Sequence, residues 1–161
     1  MKAVLTGLIG FALLASPVRA QDDVYDTGMR PTGDECLKAG AAEVTELTPL
    51  LKNPAAYKGR CVVVEGYVHA RALFLSKNDV RVKYAPSSAK TEGRRLGLYG
   101  RDDVMEELHR LPKGRYVRLT GKVWDCASMM TPDTIMLMGY CHYTSGPILS
   151  VVAYEATQAP R

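Results

Sequence analysis

From Cys61 onward, hydrophobic residues recur mostly at every second position, the spacing that turns one face of a β-strand toward a core. In Cys61–Ser76, Val62, Val64, Val68, Ala70 and Ala72 share one parity, and Glu65, Tyr67, His69 and Arg71 share the other. Gly66 interrupts this run, and glycine in a long strand marks a bend or bulge where a sheet closes on itself. A second strand is predicted over Asp79–Ala85, where Val80, Val82 and Tyr84 alternate with Arg81 and Lys83. After the polar loop Pro86–Gly93, Arg94–Gly100 reads as a third strand with Leu96 and Leu98 inward. Arg115–Cys126 is the fourth: Val117, Leu119 and Val123 face one way, and Tyr116, Arg118, Thr120, Lys122 and Trp124 the other. Thr134–Tyr140 is expected to return as an extra hairpin strand, and Pro147–Glu155 closes the set.

The period changes to helical at two places. Asp103–Leu111 sets Val104, Leu108 and Leu111 on one face, with Asp103 and Glu106 at capping-box spacing and Pro112-Lys113-Gly114 as the stop. Nearer the N-terminus, Thr48 as N-cap and Pro49 in the first turn open a short helix with Leu47, Leu50 and Leu51 on its apolar side. Asn53-Pro54 ends it. The predicted class is therefore mainly β. Five strands, a helix between the third and fourth, a helical lead-in and an extra hairpin strand follow the order of the OB-fold, a small five-stranded barrel.

Specific residues carry a resemblance that points the same way. Asn53, Pro54, Tyr57, Gly59 and Arg60 run into Val62, Val64, Gly66 and Val68, and Tyr116–Val123 reads YVRLTGKV. These stretches resemble exported bacterial OB-fold proteins of the tRNA-anticodon-like type. The resemblance covers about 47–155 and implies a barrel. It implies no single ligand, because OB-folds serve nucleic acids, sugars, peptides and proteins alike. The four cysteines would place the chain in a narrower, cysteine-containing subgroup.

The first twenty residues bound where the protein works. Lys2, an apolar run from Val4 to Ala15, Ser16-Pro17 and a small-residue end at Ala20 have the layout of a secretory leader. The run is too short to span a bilayer comfortably. Export to a periplasm or beyond is expected, with residues 21–42 as an irregular acidic arm, 43–157 as the barrel domain and 158–161 as a tail. Loss of Lys2 and Arg19 with the leader lowers the basic count from 21 to 19, against 17 acids. Whole-chain charge then gives no case for nucleic acid.

Export also makes paired cysteines the default. Cys36–Cys61 and Cys126–Cys141 are the favoured pairs among three possible connectivities. Four scattered cysteines without a CxxC pair make a poor zinc site. His69, His109 and His142 form no HExxH, there is no G-x-S-x-G elbow, and no free thiol is expected. Neither a cofactor, a metal nor an enzymatic activity is read from these motifs. Met129, Met130, Met136 and Met138 could offer thioethers to Cu(I), but packing or a partner contact is the simpler reading.

What remains for function is local charge. Gln21–Thr48 holds seven acids and two bases, whereas Arg71–Arg101 holds eight bases and two acids. In an OB-fold the second and third strands form the usual ligand face. Arg81, Lys83 and Arg95 fall at outward parity there with Tyr99 beside them, and Tyr67, Tyr116 and Trp124 could add an aromatic strip. The plainer reading is a solvated face. The leading expectation is a non-catalytic binding module for a protein partner or an anionic ligand. An oligonucleotide or polyanion binder is the alternative, and an enzyme a distant third. The acidic arm is also a candidate cover for the basic strands.

Overall fold

The computed structural model describes residues 33–129 and 139–160. Six strands form one mixed sheet: β1 (Glu43–Val44), β2 (Cys61–His69), β3 (Ala72–Phe74), β4 (Arg95–Gly100), β5 (Arg115–Asp125) and β6 (Pro147–Ala156). Their order is β1-β2-β3-β4-β6-β5, and β5 pairs back to β2. That last pairing closes five strands, β2 to β6, into a barrel compatible with an OB-fold-like fold. β4 and β6 run parallel, and the other barrel pairs are antiparallel.

The alternation predicted for β2 is what closes the barrel. Val62, Val64 and Val68 point inward and are buried, as do Leu96 and Leu98 from β4 and Val117, Leu119 and Val123 from β5. Gly66 lies on the same inward row. A Cβ there would stand 2.8 Å from the Phe74 carbonyl oxygen and 2.9 Å from the Leu73 Cγ, so glycine lets β3 cross closely over the bend.

Two helices close the interior. α1 (Leu47–Lys52) contributes Leu47, Leu50 and Leu51, and α3 (Asp102–Arg110) contributes Met105 and Leu108. α3 lies between the third and fourth barrel strands, as the sequence predicts. Neither predicted cap is used. α1 starts one residue before Thr48, with Glu46 as N-cap, because Leu47 is already drawn into the core. α3 starts at Asp102, and Asp103 pairs with Arg101 instead of capping.

An extra strand lies outside the barrel, and the expected hairpin strand is not the one described. Thr134–Tyr140 falls mostly outside the described residues, and Tyr140 itself opens the short helix α4 (Tyr140–Tyr143). The extra strand is β1, which runs parallel to β2 through Glu43↔Val62 and Val44↔Val63. Glu43 also pairs with Arg60, fixing β1 to the start of β2.

The predicted strand Asp79–Ala85 is overturned. Its first residues belong to α2 (Lys77–Arg81), capped by Ser76. The Ser76 Oγ accepts the Asp79 backbone N–H, and the Asp79 carboxylate accepts the Ser76 N–H. This reciprocal pair is a capping box with Asp in place of Glu. The true second barrel strand is β3, cut from the long predicted first strand by a turn at Ala70-Arg71.

Residues 75–94 thus form an excursion that folds over the outside of β3 and β4. Under it lies a second apolar cluster: Ala72, Phe74, Val80, Ala85, Cys126, Tyr140, Cys141 and Ile148. Gly97 makes this packing possible. A Cβ there would stand 2.2 Å from Cδ1 of the Tyr140 ring. Gly97→Ala is therefore expected to cost about 2 kcal/mol through overpacking, read as a lower urea midpoint; an unchanged midpoint would show that Tyr140 can move aside freely.

Both favoured disulfides are formed, Cys36–Cys61 and Cys126–Cys141. The first ties the N-terminal arm to β2. A helical turn at Asp34–Leu37 lies against β5 and β6, where Glu35 meets the Lys122 ammonium at 2.6 Å. This described end of the arm covers β5 and β6, not the basic strands. The leader and the arm before Gly33 lie outside the described residues.

Candidate functional site

Of the six residues predicted to bind ligand, Tyr67, Tyr99 and Trp124 pack against the second apolar cluster with Arg95 beside them, and Arg81 and Lys83 are exposed on the excursion. Arg81 ends α2 and is exposed. Lys83 is exposed, with its ammonium 5.1 Å from the centre of the Tyr84 ring. Tyr67 is half-buried and meets Tyr116 edge to face at 5.0 Å. Trp124 sits at the opposite end of β5 from Tyr116, half-buried beside Cys126 and Ile148, under the Lys122 ammonium. No aromatic strip joins them.

Arg95 is only 4% exposed. Its parity is outward, as predicted, but the outside of β4 is a second interior. The guanidinium donates from Nε to the Tyr140 hydroxyl at 3.1 Å, from one terminal nitrogen to the Ser88 carbonyl and the Thr91 hydroxyl, and from the other to Thr144 Oγ1 at 2.8 Å. It stitches β4 to the excursion and to α4. Its donors are spent inside the fold, so it presents no free cation to a ligand. Tyr99 lies under α4, where its hydroxyl accepts the Cys141 backbone N–H at 3.1 Å. Burial pushes the phenols of Tyr99 and Tyr140 up.

The concave site lies beside this face, at one end of the barrel. A cleft of about 600 Å³ runs between the end of β2, the turn after it, the end of α3, Pro86 of the excursion and α4. Its floor includes Val68 and Leu108. Its polar rim is His69, Arg71, His109 and Tyr143. Tyr143 is 74% exposed, so its ring is available to a ligand. Apolar walls with a few convergent polar groups are the usual character of a small-molecule site.

Arg71 is the only guanidinium on this lining. No carboxylate pairs with it among the described residues. It lies close to Gly139: a Cβ on that glycine would be 3.1 Å from an Arg71 terminal nitrogen and 3.3 Å from the Tyr99 hydroxyl oxygen. Gly139 has φ of 72°, so α4 is entered through a left-handed residue that leaves room for the Arg71 head.

Two histidines line this cleft together, which their separation along the chain does not suggest. His69 ends β2 and His109 is near the end of α3. Partial burial lowers the pKa of both below the usual imidazole value, with a further push from Lys113 on His69 and from Arg71 on His109. Both are mainly neutral near pH 7. His142 is apart, edge-on to Tyr143. No group of three or more metal-ligating side chains exists among the described residues.

Strain is concentrated at the same place. The non-glycine residues with left-handed backbone among the described residues are Ala70 (φ 50°) and Tyr84 (φ 56°). Ala70 lines the cleft next to Arg71, and Tyr84 is two residues from Pro86. Such conformations cost roughly 1–3 kcal/mol each and collect at ligand sites.

Of the predicted methionine patch, Met129 packs against the second apolar cluster, its sulfur 3.9 Å from Cys141 Sγ. Met130, Met136 and Met138 lie outside the described residues. Among the described residues no helix is long and apolar enough to cross a membrane. No protein-family model matches the chain and no curated protein matches it, so what stands of the resemblance is the five-stranded, OB-fold-like barrel.

Proposed function

We propose that this protein is an exported, non-catalytic binding module whose cleft takes a compact anionic ligand with an apolar or aromatic body. The observation that carries the reading is Arg71: a guanidinium with no carboxylate partner among the described residues, on the rim of an apolar and aromatic cleft. A guanidinium binds an oxyanion through two parallel N–H donors, and a ring on the same ligand gains by packing on Tyr143 and the apolar floor. Export is supported by the leader-like N-terminus and by two disulfides, which persist in oxidising compartments.

A second reading has its own observation. Tyr84 is 73% exposed at the tip of the excursion, with Arg81 and Lys83 close by in sequence. An acidic surface of a partner protein fits that tip. An oligonucleotide laid along β3 and β4 is less well supported, because the excursion covers those strands and Arg95 is engaged beneath it.

Phenyl phosphate is the first probe, with phenyltrimethylammonium as its cationic counterpart. Backbone amide resonances of 68–71, 108–111 and 139–143 are expected to shift with the phosphate and not with the cation. Arg71→Gln, an exposed change, is expected to weaken binding by about 1.5–3 kcal/mol, the worth of hydrogen bonds to a charged group. Equal shifts with both probes, shifts confined to other regions, or an unaffected Arg71→Gln variant would reject the cleft as the site.

A further inference from the structure

Resting on that reading of the cleft, we infer that its ligand is a doubly charged oxyanion of the phosphate-monoester type, captured together with a proton that converts at least one of His69 and His109 to imidazolium. The argument is one of charge matching. As the cleft stands near neutral pH, Arg71 offers one positive charge, enough for a carboxylate or a sulfonate. Both remaining polar side chains of the rim that can become cations line the same cleft. A dianion is fully matched only when at least one of them does so.

The surroundings favour that change once an anion is present. Arg71 comes from the turn after β2, and Lys113 from the connection after α3. Arg115 of β5 is the cross-strand partner of Val68. α4 brings Tyr140 and Tyr143, which are neutral. The acids of α3 nearest His109 are engaged elsewhere: Glu106 by Arg110, and Glu107 by Tyr154. Glu92 acts on Tyr140 at the far wall, but the charges that act on the two imidazoles themselves are the cations Lys113 and Arg71, so the empty cleft disfavours their protonation. An entering dianion reverses the sign of the local field. His109 is also near the C-terminal end of α3, where the helix dipole favours a cation.

The direction of the pH dependence follows from linkage. Both imidazoles have lowered pKa values in the free protein, and a bound dianion raises them. Affinity must then increase as pH falls from the bound-state value to the free-state value, and level off below it. A monoanion satisfied by Arg71 alone gives a flat profile.

The test uses the intact mature protein with two probes. Phenyl phosphate affinity is measured from about pH 8 to about pH 6, the range in which histidine titrates. Because phenyl phosphate itself titrates near pH 6, inorganic sulfate serves as a dianion that does not. The imidazole Cε1–H resonances of His69 and His109 are titrated in sulfate and in chloride at equal ionic strength. The expected result is a roughly tenfold gain in phenyl phosphate affinity toward acid, with at least one imidazole pKa raised in sulfate. In the His69→Gln/His109→Gln variant the gain toward acid disappears. Phenyl phosphate bound equally at all pH values, with both imidazoles unmoved by sulfate, would overturn proton-coupled capture and leave the cleft reading intact. No phenyl phosphate binding at any pH would overturn both.

Discussion

With Cys126 and Cys141 both changed to serine, the protein is expected to lose about 3 kcal/mol of stability, the chain-entropy value for a cross-link of this size. The bond spans a sequence separation of 15. Its loss also has a local consequence. The Cys141 N–H donates to Tyr99, and Tyr140 beside it fills the space that Gly97 leaves on β4. α4 is a single turn and cannot hold itself by backbone bonds alone. The double variant should therefore show a lower urea midpoint and, below that midpoint, weaker phenyl phosphate binding. The matched change at Cys36 and Cys61 spans a separation of 25 and should cost a similar amount. It releases the arm from the start of β2, which does not line the cleft, and should leave the cleft intact. If both double variants lost binding equally, the link between α4 and the cleft would be wrong.

Arg95→Met is expected to cost about 3 kcal/mol, because several buried polar groups lose one donor at once. The Tyr140 hydroxyl, the Ser88 carbonyl and the Thr91 and Thr144 hydroxyls all face this guanidinium. Methionine fills much of the volume but satisfies none of them. Arg95→Lys keeps a charge but not the planar fork that reaches three segments together, so it should fall between the two. Urea unfolding gives the stability. Hydrogen exchange should show faster opening of 85–91 and 140–144 before the barrel strands are affected. A methionine variant as stable as the parent would mean that the buried charge had been a burden that the hydrogen bonds only offset.

The barrel was legible because burial and parity coincide on its inner surface. Val62, Val64 and Val68, then Leu96 and Leu98, then Val117, Leu119 and Val123 alternate strictly and are buried as read. The cysteine pairs were legible from their spacing and from the leader-like pattern of the first twenty residues. The outer surface was not, for a physical reason: alternation tells inside from outside on one sheet, and it cannot tell solvent from a second layer. Arg95 has outward parity and is interior all the same. Val80, Val82 and Tyr84 alternate by accident of a short helix followed by a turn. The signal that separates the two cases was present as Ser76 and Asp79 at capping-box spacing, just before the supposed strand. The turn at Ala70-Arg71 had no glycine, asparagine or aspartate to announce it, and a long strand was read through it. The cleft joins residues from β2, α3, the excursion and α4, so no local window of sequence contains it. Of its lining, only Arg71 and Pro86 fell within the basic stretch that drew attention to this half of the chain.

The two disulfides also have an order. Each joins a cysteine to the next one along the chain, so neither bond encloses a cysteine of the other. A chain oxidised as it emerges, N-terminus first, presents Cys61 to Cys36 before any other thiol has appeared. It then presents Cys141 to Cys126 when those two alone are left. Nearest-neighbour pairing thus follows the order in which the thiols appear along the chain, with no competing cysteine between the ends of either bond.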